Sequence, residues 1–220
     1  MNESEKLSSE LHDIKQMMER SSRFISLSGL SGISAGICAL IGAWFSAAVI
    51  ERNKHAVRNL KISIADADSI LFGDFINSRL FQIALVTFVA ALLSAFLFTY
   101  RRSKKTNVPI WGATAQRMIV NVTVPMLTGG IFLLALIKNG TFGFVAPGCL
   151  IFYGLGVLNA SKYTLPESRY LGYSEILLGL INLFFIGEGL YFWAAGFGLL
   201  HIIYGAFMWW KYESNGRNKQ

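Results

Sequence analysis

The chain has 220 residues, of which 53% are hydrophobic and only 15% charged, with a mean hydropathy of +0.46. Soluble proteins carry about 25% charged residues, so this composition excludes an ordinary water-soluble domain. The formal net charge is +7. The basic residues flank apolar blocks and accompany no nucleic-acid-binding motif, which points to cytoplasmic retention and anionic lipid rather than DNA or RNA.

Residues 1–23 read as a cytoplasmic amphipathic helix, since Leu7, Leu11, Ile14 and Met18 recur on one helical stripe. They are polar and of mixed charge, unlike a cleavable signal peptide. Residues 24–210 then form a membrane domain with apolar blocks at 24–50, 80–100, 118–137, 142–160, 172–187 and 190–210. Most approach the ~20 residues needed to cross the hydrocarbon core. The expected fold is all-α, a polytopic transmembrane bundle of six spans, with 211–220 as a cytoplasmic tail. Lys138-Asn139-Gly140-Thr141 supplies a turn between the third and fourth blocks. Gly187-Glu188-Gly189 separates the last two; were it helical, the count would be five.

With six spans and the N-terminus inside, 14 Lys and Arg fall on the cytoplasmic side and 6 outside. Both termini are therefore expected in the cytoplasm. Tyr100 before Arg101-Arg102 and Trp209-Trp210 before Lys211 mark that interface. The first external loop, 51–79, carries five of the six outer charges and is basic for its side. Its Asp66, Asp68 and Asp74 lack the remaining oxygens and the glycine of a calcium loop.

The first block presents Gly32, Gly36, Ala39 and Ala43 along one face. Such a face admits a second helix closely, from the same bundle, a second copy or another protein. The third block contains Pro125 and Gly129-Gly130, and the fourth Pro147-Gly148. Breaks at similar depth in paired spans can free backbone groups for a substrate, although Pro and Gly are common in membrane helices.

Ionisable residues inside spans are costly and mark functional positions. Glu175, Asn182 and His201 form a prospective polar track between the last two spans, with Tyr204 one turn from His201. At ~1.5 Å per residue, Asn182 and His201 lie at similar depth and are placed to hydrogen-bond. The track serves either a proton or ligand path or simple interhelical adhesion.

Catalytic templates fit poorly. Gly29-Leu30-Ser31-Gly32 matches the four-residue string around a rhomboid serine, but in the first span, where that serine does not sit. Cys149 with His201 would make a thiol–imidazole pair without an orienting group. The spans hold one histidine, too few for a bis-histidine haem, and dinucleotide, phosphate and zinc signatures are absent. No metal, cofactor or catalytic residue is expected.

Residues 21–44, SSRFISLSGLSGISAGICALIGAW, resemble the first span of a group of uncharacterised small bacterial multi-spanning membrane proteins. That resemblance implies a bacterial inner-membrane location and carries no activity or site residue. The expected partners are the lipid bilayer and, through the small-residue face, a second copy or another protein. The expected role is non-enzymatic, through helix packing or partner contact; the alternative is a small transporter or channel using the broken spans or the polar track.

Overall fold

The computed structural model describes residues 28–60, 77–106 and 111–214, the side chains of 53–60 excepted. The expected amphipathic helix at 1–23, most of the 51–79 loop with Asp66, Asp68 and Asp74, and the last six residues lie outside this set. Among the described residues the regular structure is entirely helical. The main elements are α1 (Gly29–Leu60), α2 (Arg79–Thr106), α3 (Ala113–Lys138), α4 (Val145–Ala160), α5 (Ser168–Asn182) and α6 (Gly189–Ser214).

Five helical segments are long and apolar enough to cross a membrane: Gly29–Arg52, Arg79–Thr106, Ala113–Lys138, Phe142–Ala160 and Gly189–Ser214. Their outward faces are apolar as well, with Trp44 71%, Val86 68% and Ile131 69% exposed. Water solvates such a surface poorly and lipid solvates it well. The sixth expected span is the exception. α5 has 15 residues and, at ~1.5 Å per residue, is ~22 Å long. It begins at Ser168 and ends at Asn182, about four residues earlier at each end than the apolar block 172–187 had placed it.

Both hairpin turns are made by glycine. α3 ends where Gly140 adopts φ +72°, with the Gly140 and Thr141 N–H groups donating to the Ile137 and Leu136 carbonyls. This pattern satisfies the last carbonyls of the helix. Gly187, at φ +106°, turns the chain between α5 and α6. Gly187-Glu188-Gly189 is therefore not part of one continuous helix, and α5 and α6 run antiparallel. Glu167 meets Lys211 and Tyr212, Glu175 meets His201, and Asn182 lies near Gly189.

Two glycine seams hold the bundle. On α1–α6, a Cβ on Gly36 would lie 2.6 Å from the Gly198 carbonyl oxygen, and one on Gly205 would lie 2.6 Å from the Gly29 carbonyl oxygen. Gly32 faces Gly205, and Ala39 and Ala43 are buried beyond it. The small-residue face of α1 is thus occupied within the chain, chiefly by α6. On α4–α5, a Cβ on Gly154 would come within 2.7 Å of the Gly172 carbonyl oxygen. Backbone contact of this kind maximises van der Waals attraction where lipid removes the hydrophobic drive for helix association.

The remaining contacts complete an open ring. α2 packs on α1, α3 packs on α4, and α5 packs on α6, whereas α2 and α3 form no packed pair despite being consecutive. One end of the ring is fastened by polar groups. The first N–H groups of α1 lack helical partners, and α1 has no acid in its own first turn. Glu213 supplies one from the end of α6, accepting from the Gly29 N–H at 2.6 Å, the Ser28 hydroxyl at 3.1 Å and Arg102 at 2.7 Å. Three helices meet on that carboxylate. Nearby, Glu167 accepts hydrogen bonds from Lys211 and Tyr212. Burial works to raise the Glu167 carboxyl, but these hydrogen bonds, with one from its own backbone, outweigh it and hold the group below its ordinary value.

The α1–α6 seam predicts a sharp contrast between two glycines. Gly205→Ala should destabilise the protein by about 1–3 kcal/mol, because the added methyl meets backbone that has no rotamer to yield. Gly130→Ala, where nothing lies within 4 Å, should be neutral or stabilising by up to about 1 kcal/mol. Thermal unfolding of both variants in the same detergent measures the difference.

Candidate functional site: a buried carboxylate–imidazole pair beside an internal cavity

Halfway along α6 the helix widens. Ala194–Leu200 form a π-helical segment, and α-helical geometry resumes at His201. A π segment redirects backbone carbonyls and is frequent at functional sites. Here His201 Nδ1 lies 3.0 Å from the Gly196 carbonyl oxygen five residues earlier. A carbonyl can only accept, so this bond requires a proton on Nδ1. In the neutral ring Nε2 is then the acceptor, and it lies 2.6 Å from the Tyr153 hydroxyl of α4.

Glu175, from α5, approaches the same ring. Its Oε1 is 3.4 Å from His201 Nδ1, and the residue is completely buried. Gly196 makes the approach possible: a Cβ there would lie 2.5 Å from Glu175 Oε2 and 2.5 Å from the Leu150 side chain. Neither carboxylate oxygen of Glu175 has a hydrogen-bond partner among the described residues. A buried charge is tolerated only when paired. The pair is therefore neutral as a unit, either imidazolium with carboxylate or imidazole with carboxylic acid. It is a place where one proton can reside on either of two groups.

The expected polar track is thus only partly assembled. Glu175 and His201 meet, and Tyr204 lines the cavity on which His201 borders. Asn182 does not hydrogen-bond to His201. Its Nδ2 donates to the Phe185 carbonyl at 3.2 Å, and its buried Oδ1 has no partner among the described residues. Depth counting misplaced it because α5 starts and ends early and α6 contains a π segment. The residue opposite His201 is Glu175, two turns away from Asn182.

The expected helix breaks are not where the helices are irregular. α3 continues unbroken through Pro125. Gly129 receives the Phe152 ring of α4, while Gly130 faces open space. Pro147 and Gly148 occupy the first turn of α4, where a missing N–H costs no helical hydrogen bond. Among the described residues the π-helical widenings lie in α6, at Ala194–Leu200 and Trp210–Ser214, where no proline signals them.

Three cavities run end to end through the open ring. The first, 300 Å³, extends from Ser28 and Thr164 to Tyr153 and His201. The second, 430 Å³, shares Tyr153 and His201 and rises past Phe152 and Phe197 to Trp193. The third, 450 Å³, shares Thr87, Cys149 and Trp193 and reaches Leu80 and Gly187. Their walls are largely apolar and aromatic; Tyr153 stands edge-on to Phe197 with centroids 5.1 Å apart. α2 and α3 line opposite edges of the second cavity without packing together, so it faces lipid through the slot between them.

Nucleophilic pairs do not form around His201. Ser31 borders the first cavity, but its hydroxyl donates to the Ser28 carbonyl. Cys149 shares the second cavity with His201, but the two ring nitrogens of His201 are already taken by the Gly196 carbonyl and the Tyr153 hydroxyl. Among the described residues no group of three or more His, Cys, Asp or Glu is placed to hold a metal ion.

Tyr153 escaped the sequence reading, although its signal was present. It lies about seven residues from the end of its apolar block, hence ~10 Å deep, near the level assigned to His201. Gly196 carried no comparable signal, because its role follows from the π segment. Comparison with protein families, curated proteins and solved structures finds no match.

Tyr153→Phe removes the partner of His201 Nε2 and leaves a buried ring nitrogen unpaired. The variant should lose about 1–3 kcal/mol of stability, read as a lower unfolding temperature in detergent, with secondary structure by circular dichroism unchanged.

Proposed function

We propose that this protein is a small membrane carrier that moves an apolar or amphipathic solute through the cavity between α1, α2, α3, α4 and α6, linked to a proton held by Glu175 and His201. The observation that carries this proposal is the buried carboxylate–imidazole pair, which touches the cavity wall through the Tyr153–His201 hydrogen bond. Acid–histidine pairs inside spans serve proton relays in pumps and transporters. The apolar, aromatic wall sets the solute class, and the slot between α2 and α3 gives a route from the lipid phase.

In this account the chain crosses the membrane six times, with α5 as a short sixth crossing and both termini in the cytoplasm. The antiparallel course of α5 and α6 supports the count. The 14-to-6 distribution of Lys and Arg supports the orientation. Glu213 and Glu167 then fasten the cytoplasmic end. A bacterial inner-membrane location remains the expectation from the first-span resemblance. Action through partner contact has less support, because α6 already covers the small-residue face of α1.

Pyranine-loaded proteoliposomes under an inward proton gradient provide the test. A panel of small amphipathic amines, alcohols and carboxylic acids is added outside, and the dye reports solute-dependent proton entry. At least one class should accelerate entry in the wild type. Glu175→Gln should reduce that acceleration on the order of ten-fold or more. Background rates across the panel in the wild type, or an undiminished response in Glu175→Gln, would refute the carrier.

A further inference from the structure

A second feature lies on the lipid-facing side of the α1–α2 contact, sharing Gly42, Ile83 and Thr87 with the third cavity but none of the residues of the proton pair. α1 and α2 touch closely where Gly42 meets Thr87; a Cβ on Gly42 would lie 2.2 Å from the Thr87 hydroxyl oxygen. Around that contact a groove of 860 Å³ opens toward lipid. Its walls include Trp44 and Val86, both among the most exposed apolar side chains of the molecule. Two guanidinium groups stand at one end only, Arg52 from α1 and Arg79 from α2. Both residues are exposed. This is the end of the bundle that holds Gly187, opposite the Glu213 clasp.

We infer that this groove is a binding site for an anionic phospholipid, its phosphate on Arg52 and Arg79 and an acyl chain along the groove between α1 and α2. Length and charge both select this occupant. From Arg52 to Cys38 the groove follows α1 for ~21 Å, and from Arg79 to Ala90 it follows α2 for ~17 Å. One leaflet of the hydrocarbon core is ~15 Å thick, so the apolar part accommodates a chain that starts at the headgroup level and runs to the midplane. The two guanidiniums sit where the phosphate of such a lipid would be. Arginine matches phosphate oxygens with paired N–H donors. A free phosphate would use the arginines and leave the apolar length unexplained.

The site also accounts for a sequence feature that topology alone left open. The 51–79 connection carries five Lys and Arg on the side that usually holds few. Two of the five, Arg52 and Arg79, are committed to the groove.

Native mass spectrometry of the full-length protein, equilibrated with phosphatidylglycerol and phosphatidylcholine of identical acyl chains, tests the site. Wild type should retain phosphatidylglycerol roughly ten-fold in preference to phosphatidylcholine, a size consistent with two interfacial arginines. Arg52→Gln/Arg79→Gln should abolish the preference. Ala48→Trp, an exposed position on the groove wall, should lower retention of the anionic lipid while leaving both arginines in place. Because all three positions face outward, elution volume and unfolding temperature should be unaffected. Equal retention of the two lipids by wild type would overturn the site, as would an unchanged preference in the arginine double variant. Displacement by millimolar inorganic phosphate, or undiminished retention in Ala48→Trp, would overturn the acyl-chain part.

Discussion

The carboxylate of Glu175 constrains the architecture more than any other group. It is completely buried in an apolar bundle, and neither oxygen finds a hydrogen-bond donor among the described residues. His201 is the one described cation-forming side chain within reach. The rest of the site serves that contact. Gly196 clears the space beside the carboxylate, the π segment turns the Gly196 carbonyl onto Nδ1, and Tyr153 holds Nε2. A pair this poorly satisfied is weak evidence of stability. Its retention beside a cavity fits a role in which the proton must be movable.

Glycine contact makes such a site possible in a small bundle. Where α1 meets α6 and α4 meets α5, backbones touch without intervening side chains. Each seam joins its two helices rigidly, and α5 against α6 joins the seams. The ring is then left open between α2 and α3, and the cavities lie along its inner wall. Glu213 fastens three helices at one end, taking its donors from Ser28, Gly29 and Arg102. The opposite end has glycine turns at Gly140 and Gly187. Motion of α2 or α3 would widen the slot without breaking either seam.

Much of this was legible in the residues. Apolar block lengths located five helices, and Lys138–Thr141 and Gly187–Gly189 marked both turns. Gly32 and Gly36 marked a packing face, and Glu175 and His201 stood out because ionisable groups are rare in spans. The pairing of Asn182 with His201 failed because hydropathy records where a block is apolar and not where its helix begins. Ser168 and Arg169 already belong to α5. With α5 drawn about one turn too late and α6 widened by its π segment, the residue opposite His201 becomes Glu175 instead of Asn182. The π segment is invisible to periodicity, since Ala194–Leu200 contains no proline or polar residue. The Glu213 clasp joins residues 184 and 185 positions apart, and no local pattern announces it. Pro125 and Pro147 misdirect for the opposite reason: they are conspicuous in the sequence, yet α3 continues through one and α4 starts around the other.

A double-mutant cycle on Glu175 and His201, read as unfolding free energy in one detergent, tests the central claim most directly. Neutral His201 keeps both its partners when Glu175 is removed, so Glu175→Met should cost little. His201→Leu leaves a buried carboxyl without any partner and should cost roughly 3 kcal/mol. Adding Glu175→Met to His201→Leu should recover most of that loss, giving a coupling of at least about 1.5 kcal/mol. Additive effects, with no recovery in the double variant, would contradict the pair on which the account rests.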